Sequence, residues 1–260
     1  MDAKNDTGAI AIKPPAPDGV LYFIYQKDGD GAVSYEIANG AWATYWYGHS
    51  FELDGKRYFT GFAYATQERF PADGEHVPGP DDQVDLSNAT FLLTDEGSET
   101  PWSLVGAEPY IGRFGAHDKG NEVDPGRKAQ EFRTREGRLL LAVPTSSLQS
   151  GVRIESFDLF VFNPAKEVPI DEHHWTYVGN VYIGEDNSAS CDQDAGRLAC
   201  ANSSGTLQFV PQDDSPMPML RVERNGTVVD GPGQTRTLGS SDVLEYSFDA
   251  ANRKYLTDDL

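Results

Sequence analysis

The stretch IDEHHWTY sets Asp171, Glu172, His173 and His174 in a row ahead of Trp175. On an extended strand alternate residues share a face, so Asp171 would lie with His173 and Glu172 with His174. A carboxylate beside an imidazole can orient the ring for proton transfer or for metal ligation. Glu172, His173 and His174 are therefore the candidate catalytic residues. Adjacent histidines, however, point to opposite faces, and neither H-x-H nor H-x-x-x-H spacing is present. His49 is the obvious third partner. A surface loop leading into a strand accounts for the same residues without chemistry.

Two further constellations could bind. KDGDGAVSYE places Asp28, Asp30 and Glu36 around glycines, and hard oxygen ligands with a sharp glycine turn are what calcium requires. Ala32 stands where the next acidic ligand should be, and an ordinary hairpin turn explains the residues equally well. Calcium is the one cofactor the sequence brings to mind. WATYWYGHSF supplies Trp42, Tyr45, Trp46, Tyr47 and His49. Strand alternation puts Trp42, Thr44 and Trp46 on one face and Ala43, Tyr45 and Tyr47 on the other. One face packs inward, and the other either meets a second layer or offers aromatic anchors for a partner or a sugar. The acidic run holding Asp81, Asp82 and Asp85 is a second candidate contact surface.

Nucleophile and nucleotide signatures are lacking. No G-x-S-x-G elbow and no phosphate-cradling glycine loop occurs. The 41 acids make carboxylate pairs for glycoside chemistry too common to point anywhere. Against 21 basic residues they leave a net charge of −20. Phosphate backbones bind through Lys and Arg, so nucleic acid and anionic membranes are poor partners, whereas a cationic protein would be attracted. No apolar run is long enough to span a membrane.

The compartment follows from two cysteines. Cys191 and Cys200 bracket CDQDAGRLAC between two strand-like runs. Two cysteines in one polar connection are well placed to bridge, and such bonds persist in oxidising compartments. A zinc site would need two more ligands at metal spacing nearby. No export signal is visible: Met1 leads into a polar segment, residues 1–17, that reads as a flexible tether. This looks like a start methionine on a mature tail whose signal has been removed. A cytosolic protein is the alternative.

The elements that must position these residues are strands. Short aromatic and β-branched runs recur between Gly and Pro punctuation: Val20 to Tyr25, Ala32 to Ile37, Trp42 to Tyr47, Ser50 to Leu53, Tyr58 to Tyr64, Leu139 to Val143, Ile154 to Phe162 and others, about a dozen in all. Asp54-Gly55 and Asn225-Gly226 each read as a hairpin tip. Ala63 to Phe70 is the only helical candidate, and Pro71 to Asp85 and Gly106 to Arg138 read as long irregular loops. The expected fold is all-β and antiparallel, a sandwich, barrel or propeller-like body over residues 18–260. It is either one domain or two β units with a boundary near 115–137.

The last quarter ends in RVERNGTVVDGPGQTRTLGSSDVLEYSFDAANRKY. Its Tyr-x-Phe-Asp-x-x-x-x-x-Tyr pattern (Tyr246, Phe248, Asp249, Tyr255) resembles the C-terminal segment of exported bacterial proteins and lipoproteins. Some periplasmic lipoproteins of that kind are immunity proteins that neutralise toxins. The resemblance implies a periplasmic or extracellular protein that acts by binding, with a lipid anchor in its precursor left open. It carries over no functional residue. The expected function is an inhibitor or immunity protein that covers a cationic toxin or enzyme. The alternative is an extracytoplasmic hydrolase or carbohydrate-binding protein.

Overall fold

The computed structural model describes residues 12–69, 77–165, 173–191 and 198–257. Among the described residues one helix, α1 (Pro17–Tyr25), is followed by fifteen strands: β1 (Ser34–Ala38), β2 (Ala41–Leu53), β3 (Lys56–Ala65), β4 (Val84–Leu93), β5 (Trp102–Phe114), β6 (Glu122–Val123), β7 (Gln130–Arg133), β8 (Leu139–Gln149), β9 (Val152–Phe162), β10 (Trp175–Asp186), β11 (Ser203–Val210), β12 (Met219–Gly231), β13 (Gln234–Thr237), β14 (Leu244–Asp249) and β15 (Lys254–Leu256). The protein is all-β and antiparallel, as its strand-and-turn pattern implies.

Three sheets stack. The first has order β1-β2-β3-β4-β5 and curls into a half-barrel. The middle sheet runs β10-β9-β8, with β6 and β7 both pairing β8. The third runs β11-β12-β14-β15, with β13 on β12. The middle sheet is covered on both faces. Leu139, Leu141, Val143, Phe160 and Phe162 pack with Phe51, Phe62, Leu86 and Phe114 of the first sheet. Leu140, Ala142, Leu159 and Val161 pack with Leu207, Leu220, Val222 and Tyr246 of the third. This is why LLLAV is an unbroken apolar run, and FDLFVF one broken only by Asp158, rather than alternating ones. Each such fully buried side chain contributes about 1.5–3 kcal/mol.

Val20 to Tyr25 is helix, not strand. Its β-forming composition is overridden by Pro17 at the helix start and Asp18 in the first turn, and by the spacing of Val20, Leu21 and Ile24, all buried. These side chains pack on the outer face of the first sheet against Ala43, Phe59, Ala63, Ala89 and Phe91. Gly61 permits the contact, since a Cβ there would lie 2.6 Å from Val20. Residues 12–16 are not a free tether either: the Lys13 carbonyl accepts a hydrogen bond from Trp102 Nε1 at 2.8 Å.

Local turn chemistry is mixed in its outcome. Asp54 (φ 51°) and Gly55 (φ 70°) form the expected β2–β3 tip. Asn225-Gly226 is not a tip: β12 runs straight through it, pairing β11 up to Gly226 and β13 from Thr227. Ala63–Ala65 ends β3 and 66–69 is not helical, with Phe70 outside the described residues. The stretch 106–138 is not irregular, since it carries the second half of β5 together with β6 and β7. The Tyr246–Tyr255 pattern has a structural role. Tyr246 is in the core, Phe248 packs at a steep tilt against Tyr255 with centroids 5.3 Å apart, and Asp249 accepts from the Ala251 and Asn252 amides in the β14–β15 turn.

Candidate functional site

The aromatic segment of β2 does not follow simple alternation. Tyr45 pairs Ala63 and Tyr47 pairs Phe62, so Trp46 is the extra residue of a bulge. A bulge inserts one unpaired residue and switches the faces beyond it. Before it, Ala43 and Tyr45 pack beneath α1. After it, Tyr47, Phe51 and Leu53 turn toward the middle sheet, joined by Trp46 itself. Trp46 meets Phe62, Phe114 and Phe160 at centroid distances of 5.0–6.4 Å and donates Nε1–H to the Asn121 carbonyl. It is therefore a core anchor. Trp42 remains half exposed, at 50%. Its backbone is fixed by pairing with Glu36 on β1 and by donation to Thr66 Oγ1 at 2.9 Å.

His49 joins residues that lie far apart in sequence. Its Nε2 is 2.8 Å from Glu131 Oε1 on β7, and its Nδ1 is 3.5 Å from the Tyr47 hydroxyl. A carboxylate only accepts, so Nε2 carries the proton and, in the neutral ring, Nδ1 faces the phenol as acceptor. The ring is also stacked in a row, 6.0 Å from Tyr47 and 6.2 Å from Phe51, with Phe51 in turn 5.1 Å from Tyr58. Burial, aided by Glu131, pushes the Tyr47 hydroxyl above its usual range. Glu131–His49–Tyr47 is thus an oriented acid–imidazole–phenol chain, the kind of arrangement that holds a ring in one tautomer.

Beside this chain an open groove of about 320 Å³ crosses the Asp54–Gly55 end of the first sheet. Its apolar lining includes Phe51, Tyr58 and Trp102, and its charged lining is Glu52, Arg57, Glu131 and Arg133. Arg133 ties the two sheets together, donating to the Glu52 carbonyl at 2.9 Å and lying 3.3 Å from Glu131. Arg57 is held by Glu96 at 2.6 Å.

No family model, curated protein or solved structure matches the chain.

The remaining candidates are dispersed. His174 is buried, and its ring Nδ1 lies 3.1 Å from the Asn163 carbonyl. The backbone amides of His174 and Trp175 donate to Glu108, which also accepts from Asn88 Nδ2 at 2.8 Å. This buried carboxylate links edge strand β5 to β10. His173 is exposed, and Asp171 and Glu172 lie outside the described residues. Asp28 accepts from the Asp30 amide, and Glu36 from the Gly40 amide, so these acids serve two separate turns. Asp82 caps Gly79, Asp85 binds Arg113 at 2.7 Å, and Asp81 is exposed. Among the described residues no three His, Cys, Asp or Glu side chains group in a metal-holding arrangement. Cys191 and Cys200 are joined in a disulfide. No described helix is long and apolar enough to cross a membrane.

Sequence reasoning missed Glu131 and Asp158. Asp158 interrupts the apolar run of β9 and is fully buried. Asn121 and Thr145 donate to its Oδ2, and Tyr177 and Asn180 to its Oδ1, at 2.8–3.0 Å. Desolvation raises its pKa above the ordinary carboxylate value, while these four donors pull the other way. The one available signal was an acid within FDLFVF, since a buried charge needs partners.

Proposed function

We propose that this chain is an extracytoplasmic protein-binding protein of inhibitor or immunity type, acting by covering a cationic protein partner. The observation that carries the reading is Trp42. It is a large aromatic side chain left half exposed on a strand whose backbone is pinned on both sides, with Glu36 opposite it in register. Rigid, exposed aromatics are the usual energetic anchors of interfaces. The negative charge supports the choice of partner, because complementary charge speeds encounter with a basic surface. The disulfide supports the oxidising compartment.

The test is affinity capture from envelope and secreted fractions, followed by titration calorimetry with the captured protein. The reading expects a basic partner whose affinity falls at least tenfold with Trp42→Ala and weakens as salt rises. A partner bound equally by wild type and Trp42→Ala, or without salt dependence, would refute it.

A further inference from the structure

We infer that the groove at the Asp54–Gly55 tip is a binding site for a neutral, hydroxyl-rich ligand, a short oligosaccharide. This goes beyond the protein-binding reading and does not depend on it. In a chain of net charge −20, the groove is lined by two guanidiniums, Arg57 and Arg133, and two carboxylates, Glu52 and Glu131, which sum to zero. An anion entering it would meet both carboxylates, and a cation would meet both guanidiniums. A hydroxyl is donor and acceptor at once, so a polyol suits a wall that alternates acceptor-only and donor-only groups.

Part of the lining is preorganised. Glu131 is fixed by His49 at 2.8 Å and by Arg133 at 3.3 Å, and Arg57 pairs at the surface with Glu96. Yet Arg57 and Arg133 keep side-chain exposures of 53% and 55%, leaving donors free to face a ligand. Groups held before binding lose less entropy when the ligand arrives. The half-buried Trp102 ring adds apolar surface that the C–H face of a sugar ring can cover, whereas Tyr58, also in the lining, is buried in the core. The volume, about 320 Å³, falls at the small end of ligand sites.

Titration calorimetry of the full chain with maltotriose, cellotriose and chitotriose at millimolar concentration tests this. At least one trisaccharide should bind. Arg57→Ala and Trp102→Ala should each weaken binding at least tenfold, while Trp42→Ala should leave it unchanged, which separates this site from the protein-binding surface. Should Trp102→Ala fail to fold, Arg57→Ala decides alone, because that side chain is half exposed and outside the core. The proposal is overturned if none of the three binds, if binding survives Arg57→Ala, or if an Arg-Glu dipeptide displaces the sugar.

Discussion

Replacing Asp158 by Asn should change how stability depends on pH. The carboxyl is fully buried and receives four hydrogen bonds, two at each oxygen. An asparagine keeps one carbonyl for two of those donors and turns an amide N–H₂ toward the other pair. The Thr145 or Tyr177 hydroxyl can rotate to accept, but the amide of Asn121 or Asn180 cannot. One amide donor is therefore left without its partner, at a cost of about 1–3 kcal/mol when it is the half-buried Asn121 and less when it is the exposed Asn180. The native acid carries its own pH-dependent penalty. Because desolvation raises its pKa in the folded state, the fold binds more protons here than the unfolded chain does. Its contribution is fully present below the unfolded pKa, near 3.8, and declines as pH rises through the folded value. The slope is at most about 1.4 kcal/mol per pH unit. Urea unfolding followed by tryptophan fluorescence, in steps from about pH 4 upward, gives both variants' midpoints. The gap favouring wild type should be widest at the acid end and shrink as pH rises. A gap that widens with pH would mean the four donors outweigh desolvation, and the reasoning fails.

Other outcomes follow from particular residues. Replacing Cys191 and Cys200 by Ser should cost about 2.5–3 kcal/mol through the short closed loop; an unchanged melting temperature with and without reductant would contradict this. Gly226→Ala should destabilise by more than about 1 kcal/mol, since its φ is 101° and a Cβ would lie 2.3 Å from the Asn202 carbonyl oxygen. Gly19→Ala, inside α1 with open space around it, should stabilise by about 0.5–1 kcal/mol. Thermal melts of the two glycine variants should therefore move in opposite directions.

Where a feature depends on neighbours in the chain, the sequence announces it. Asp54-Gly55 forms its turn because both residues tolerate positive φ, and the cysteine pair sits at the ends of one short loop. Where tertiary contacts decide, local reading fails. VLYFIY becomes a helix because the first sheet offers Val20, Leu21 and Ile24 a face to bury. Asn225-Gly226 stays within β12, where its glycine, at φ 101°, allows close approach to Asn202 rather than making a turn. The Trp46 bulge reverses the assignment of Tyr47, and nothing in WATYWY marks the residue left over. His49 and Glu131 are 82 positions apart, so no spacing rule could join them.

In the proposed function Trp42 anchors a basic partner. A photo-crosslinking phenylalanine derivative placed at Trp42, and separately at Leu148, an exposed strand residue with 70% accessibility, tests it most directly in living cells. An adduct with a basic protein is expected from position 42 and none from 148. No adduct at 42, or equal adducts at both positions, would contradict it.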